Sequence, residues 1–148
     1  LRSPGLENLL ALPHKSGLAD VLQEQVALDR AIRPTLSKHV DILTAGRLPE
    51  NPAELLAKGR LKPVLDALKP DYSDILVDTP PVSEFTDASL VARDCDGTVV
   101  IVRLDLAPRF TVEQSVQQLR SLGANLLGAF VVASLPAGRL QPIDAPTH

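Results

Sequence analysis

Two runs almost free of polar side chains, residues 98–102 and 126–132, stand on either side of a helical pattern, and this constrains the fold most. In the first run four β-branched residues follow Thr98 without a break. Alternation of polar and apolar residues is absent, as in strands covered on both faces of a parallel sheet. Between the runs, Thr111 and Gln114 have capping-box spacing. Val112, Val116 and Leu119 then share one helical face, and Gly123 provides a stop. Strand, helix and strand in this order require a crossover, so the chain is an α/β fold with a mostly parallel sheet flanked by helices.

Two further strands are expected, at residues 40–43 and 74–78. Asn51-Pro52-Ala53-Glu54 combines an N-cap residue, Pro at the first helical position and Glu at the third. A short helix is expected over 53–58, with Gly59 ending it. A second, over 61–68, has Leu61, Val64, Leu65 and Leu68 on one face, and a third spans 86–93. No repeat occurs at periods of about 20–50 residues. Residues 1–134 read as one domain part and 135–148, rich in Pro and without periodicity, as a loose tail.

Several functions are excluded by composition. The 148 residues are 45% hydrophobic and 22% charged, the balance of a folded domain. A net charge of -3 argues against phosphate-driven nucleic-acid binding. Cys95 is the single cysteine, which excludes an internal disulfide framework. His14, His39 and His148 lack metal-ligand spacing. No apolar run approaches the ~20 residues of a membrane span, and no secretory signal pattern opens the chain. Met is absent, so the sequence as written does not open at an initiator, and a piece of a longer polypeptide is one reading.

The chemistry concentrates at residues 75–81, Ile-Leu-Val-Asp-Thr-Pro-Pro. An apolar strand there ends in Asp78, at the edge of a parallel sheet where ligands bind. A carboxylate so placed can hold Mg2+ through its water shell beside nucleotide phosphates. It can equally cap the following turn. Pro80 and Pro81 impose an extended, stiff exit. Arg103, at the end of its strand, suits either a nucleotide or a surface salt bridge. Asp94 and Asp96 read as turn formers with Gly97. Their charges raise the pKa of Cys95, which is therefore not a nucleophile. Asp87, opening a helix, suits the helix dipole. Tyr72 reads as a packing residue.

Asp78-Thr79-Pro80-Pro81 after an apolar strand resembles the Walker B segment of the bacterial tyrosine kinases (BY-kinases) of capsule and exopolysaccharide synthesis. These sit within a deviant-Walker P-loop group that also holds the MinD and ParA ATPases. Further segments are similar: Leu1-Arg2-Ser3-Pro4 to the end of the Walker A′ run, and residues 17–22, Gly-Leu-Ala-Asp-Val-Leu, to a helix start. Ala45-Gly46, Pro49 and the Asn-Pro-Ala-Glu-Leu-Leu of 51–56 are similar to a family block that MinD and ParA proteins usually lack. Thr86-Asp87-Ala88, Asp96-Gly97 and Arg103 also fit, and the likeness covers residues 1–132.

The resemblance implies part of an ATP-dependent protein-tyrosine kinase with a P-loop NTPase-like fold, incomplete at the N-terminus. In the intact parent the cofactors would be ATP and Mg2+, with Asp78 as the metal-positioning residue and Arg2, Thr79 and Arg103 beside the nucleotide. Its partners would be a membrane-embedded polysaccharide chain-length regulator and further copies of itself, at the inner face of the cell membrane, and no nucleic acid. The chain departs from the pattern in several places. It has no G-x-x-x-x-G-K-[ST] loop, so no phosphate cradle. Val132 stands where the family has a base-side Asn, and the tail has no tyrosine. This stretch alone is therefore expected to hold no ATP. The alternatives are a non-catalytic, partner-binding P-loop-like module and a MinD/ParA-type ATPase.

Overall fold

Four of the helices meet around one apolar cluster in the computed structural model, which describes residues 16–133. Helix α1 (Leu18–Leu22) supplies Ala19 and Leu22, and α2 (Leu28–Ala31) follows it. Helix α3 (Pro52–Ala57) adds Leu55 and Leu56. Helix α4 (Leu61–Leu68) adds Leu61 and Leu65, and α5 (Asp87–Asp94) adds Val91. The periodicity that forms these helices also builds the core. In α4, Leu61, Leu65 and Leu68 are buried at i, i+4 and i+7, while Lys62 and Asp66 pair at 2.8 Å on the wet side.

The helix boundaries follow local chemistry. Asn51 Oδ1 accepts from the Glu54 N–H at 3.2 Å, and Pro52 sits in the first turn. Gly59, with φ of +69°, ends α3 as expected, because the left-handed turn after a helix favours a residue without Cβ. Helix α5 begins one residue later than expected, with Thr86 as its N-cap.

Helix α6 (Arg109–Ser121) corrects the capping expectation: Thr111 and Gln114 lie inside it rather than at its start. The carbonyl of Pro108 accepts from Val112 N–H at 3.2 Å, and an Arg109–Glu113 ion pair at 2.8 Å braces the first turn. Together these start the helix three residues earlier. Gly123, with φ of +83°, terminates it.

Strands β3 (Thr98–Arg103) and β4 (Leu126–Val132) pair in parallel across α6, as the two apolar runs require. An extra residue, Leu127, bulges from β4 between the partners of Thr98 and Val99. Strand β2 (Asp41–Ile42) lies within the expected segment but pairs antiparallel with β1 (Arg33–Pro34), which the sequence did not announce. Two residues containing a Pro carry no periodicity to read.

Two expectations fail. Residues 74–78 show the alternating burial of a strand but belong to no ladder among the described residues. Nor are β3 and β4 covered on both faces. Along β3 half-buried and exposed residues alternate, and Ile101 and its neighbour Phe130 are 61% and 65% exposed. The boundary before residue 135 and the tail lie outside the described residues, as do Arg2, His14 and His148.

Candidate functional site

An open cleft of about 620 Å³ runs between the extended segment and the free edge of β3. One bank is formed by residues 75–82, the other by residues 97–101, and Val91 and Ala92 of α5 contribute to its lining. Ile75 and Val77 pack against the core, whereas Leu76 points outward and is 96% exposed. This alternation is that of a strand even without a ladder.

Asp78 and Thr79 line the cleft where the segment ends. The Asp78 carboxylate is exposed, and no hydrogen bond to another described residue engages it. It does not cap a turn, which leaves its oxygens available to water or to a hydrated cation. Among the described residues no group of three or more His, Cys, Asp or Glu side chains comes together. A lone exposed carboxylate of this kind can contact a hydrated cation through its water shell. The sequence as given holds no G-x-x-x-x-G-K-[ST] loop that would cradle phosphates beside it.

Arg103 does not line the cleft. Its guanidinium donates to Asp105 Oδ2 at 2.9 Å, the surface ion pair that was one of its two readings. Asp94 and Asp96 flank the cleft floor, and Lys69 bridges from α4 to Asp96 at 3.2 Å. The Asp96 carboxylate is the main cause of an upward shift in the Lys69 pKa. Burial pushes the Cys95 thiol up, and the charges of Asp94 and Asp96 push in the same direction. Tyr72 is half-buried, and its hydroxyl donates to Asp41 Oδ2 at 2.7 Å, which raises its pKa. Asp87 is buried at the first position of α5.

The sequence reading missed Asp20. Its side chain is only 1% exposed, yet it accepts from Gly17 N–H at 2.9 Å, Arg47 Nε–H at 2.8 Å and Arg47 N–H at 3.3 Å. Burial alone would raise its pKa; these donors outweigh burial and lower it below the ordinary carboxylate value. The carboxylate thereby ties α1 to the loop at residues 44–47. Leu18 and Ala19 N–H donate to the Thr44 and Ala45 carbonyls at 2.8 and 3.0 Å, completing the joint. Only the three-residue spacing from Gly17 to Asp20 could have suggested it.

A pH dependence follows. A depressed native pKa gives stability that is complete above the unfolded value, about pH 4, and is lost as pH falls through the native value. At pH 7, Asp20→Ala is expected to cost about 1–3 kcal/mol, because two backbone N–H groups lose their acceptor. Arg47 is three-quarters exposed, so solvent screens its share. Urea melts between pH 5 and pH 3 check this: Asp20→Asn should lose less stability over that interval than the unaltered chain.

An extended apolar segment ending in a carboxylate, a helix, and a parallel β–α–β unit define part of a P-loop NTPase-like α/β domain. No protein-family model matches the chain. It is 29% identical over 131 residues to the tyrosine-protein kinase YwqD of Bacillus subtilis, covering 88% of this chain and 55% of YwqD. It is 30% identical over 131 residues to the tyrosine-protein kinase Etk of Escherichia coli, covering 88% of this chain and 18% of Etk. The solved kinase domain of E. coli Etk superposes with a TM-score of 0.84 at 28% identity, covering 95% of this chain and 56% of that domain. The chain is thus a relative of the bacterial tyrosine kinases and corresponds to part of their kinase domain. It spans little more than half the length of YwqD.

Proposed function

We propose that the chain is the part of an ATP-dependent protein-tyrosine kinase that carries the metal-positioning carboxylate, and that the whole protein regulates capsular or exopolysaccharide synthesis and chain length. The observation carrying this reading is the exposed Asp78 carboxylate, next to Thr79 at the end of an extended apolar segment lining a cleft. In this reading Asp78 holds Mg2+ through its water shell and Thr79 adds a hydroxyl at the same rim. ATP, when bound, supplies the γ-phosphate that passes to a tyrosine. Arg103 lies near the nucleotide only after leaving Asp105, and Arg2 follows the phosphate-side segment.

The relatives reported above are tyrosine kinases, which favours this reading over a MinD/ParA-type ATPase and over a non-catalytic module. The partners we propose are a membrane-embedded chain-length regulator and further copies of the kinase, at the inner face of the cell membrane. No described helix is long and apolar enough to cross a membrane.

Titration calorimetry with Mg-ATP tests the reading. This chain, without a phosphate loop, is expected to give no heat of binding at micromolar concentrations. A longer polypeptide that adds a strand and a G-x-x-x-x-G-K-[ST] loop should bind Mg-ATP and phosphorylate tyrosine. Micromolar binding by this chain alone would remove the phosphate loop from the explanation. A longer polypeptide that binds Mg-ATP without transferring phosphate would favour the non-catalytic module.

A further inference from the structure

Strand β3 leads into a tight turn that holds two leucines outward. Leu106 N–H and Ala107 N–H both donate to the Arg103 carbonyl, at 3.1 and 2.9 Å, so the turn is set by its own backbone. Leu104 and Leu106 are nevertheless 66% and 65% exposed, and Phe110, in the first turn of α6, is 68% exposed. From Phe110 a shallow, open hollow of about 630 Å³ follows α6, and Gln114 and Gln117 line it. Their side-chain amides hydrogen-bond to no described residue. An exposed aromatic ring beside unengaged amide donors suits an extended, proline-bearing segment. Proline rings pack on the aromatic, and the carbonyls of such a segment, which no internal hydrogen bond uses, accept from side-chain N–H groups.

We propose that this surface is the docking site of the chain's own residues 134–148. Position, sequence and length select that occupant. Strand β4 ends beside the turn, since Leu104 N–H donates to the Val132 carbonyl at 3.0 Å, and the segment therefore starts next to Leu104. Its sequence matches the surface: Leu135, Leu140 and Ile143 are apolar, and Pro136, Pro142 and Pro146 are spaced among them. Its 15 residues, at about 3.1 Å each, reach about 45 Å, against about 20 Å for the 13 residues of α6. Leu135 covers Leu104 and Leu106, and the prolines pack on Phe110. The contact is intramolecular, so a weak interaction is enough to keep it closed. This docking does not depend on the kinase reading.

The sequence contains no Trp, so Phe110→Trp places a single tryptophan reporter on the surface. In the full chain its emission should lie to the blue of that in a chain ending at Ala133. Acrylamide should also quench it about threefold less in the full chain, because the ring passes from solvent to an apolar contact. In the full chain carrying the reporter, Leu104→Ser together with Leu106→Ser should raise quenching toward the level of the shortened chain. Both leucines are exposed, so the fold does not depend on them. That variant keeps the test decisive if the shortened chain fails to fold, and circular dichroism checks each.

Equal emission and quenching in the full and shortened chains overturn the docking. So does quenching that the two leucine substitutions leave unchanged. Protection that grows with chain concentration, together with a dimer in sedimentation, also overturns it, because the occupant is then a second copy. Protection that is independent of concentration, is lost with residues 134–148 and falls in the leucine variant supports it.

Discussion

In a kinase containing this stretch, Asp78→Asn should lower phosphate transfer at least about a hundredfold while leaving stability within about 0.5 kcal/mol. Both halves follow from the position of the side chain. Asp78 is exposed and engages no described residue by a hydrogen bond, so the fold loses nothing when its charge is removed. Asn retains the size and an acceptor oxygen but not the charge. A hydrated Mg2+ is held mainly by that charge, so its position against the developing charge of the transferring phosphate is lost. Single-turnover transfer from labelled ATP and a urea melt, run on the same preparation, read the two effects separately. Undiminished transfer would remove Asp78 from the site. Equal losses of activity and stability would make it a structural residue.

The largest expected loss of stability lies elsewhere, at Gly46→Ala. Gly46 has φ of +74°, a left-handed conformation that costs a residue with a Cβ about 1–2 kcal/mol. A Cβ there would also lie 2.5 Å from Gly17 N and run into Asp20 Oδ2. Gly17 has the reciprocal problem, since its Cβ would run into the Thr44 carbonyl and lie 2.8 Å from Gly46 Cα. Neither backbone can yield without releasing the Asp20 joint. The expected cost is on the order of 3–5 kcal/mol, a large part of a domain's total stability. Gly59→Ala is the control. Gly59 also has a positive φ, +69°, but nothing lies within 4 Å of its added Cβ. Only the conformational cost applies, about 1–2 kcal/mol. Urea midpoints for the two variants should differ severalfold in their shift; equal shifts would mean that backbone conformation, not crowding, decides both positions.

Local chemistry made the helices legible. The Asn51–Glu54 cap, the apolar stripe of α4 and the stops at Gly59 and Gly123 each depend on residues within a turn or two, so spacing alone reveals them. The β3–α6–β4 unit was legible for a similar reason, since two apolar runs separated by one helix have few ways to pair. Asp78 stood out because a carboxylate closing an apolar run is conspicuous in one dimension.

What the sequence determined is therefore the identity and order of most elements, and the carboxylate at the end of residues 74–78. Only the tertiary structure decided what those elements meet. A strand is defined by a partner that can be any distance away in the chain, which is why 74–78 is extended yet unpaired and why β1 went unread. Coverage of a face depends on where helices pack, so among the described residues β3 alternates half-buried and exposed positions and β4 is exposed along almost all its length. The Asp20–Arg47 joint spans 27 positions. No local pattern encodes a contact of that reach, because it arises when the loop at 44–47 is folded back onto the start of α1.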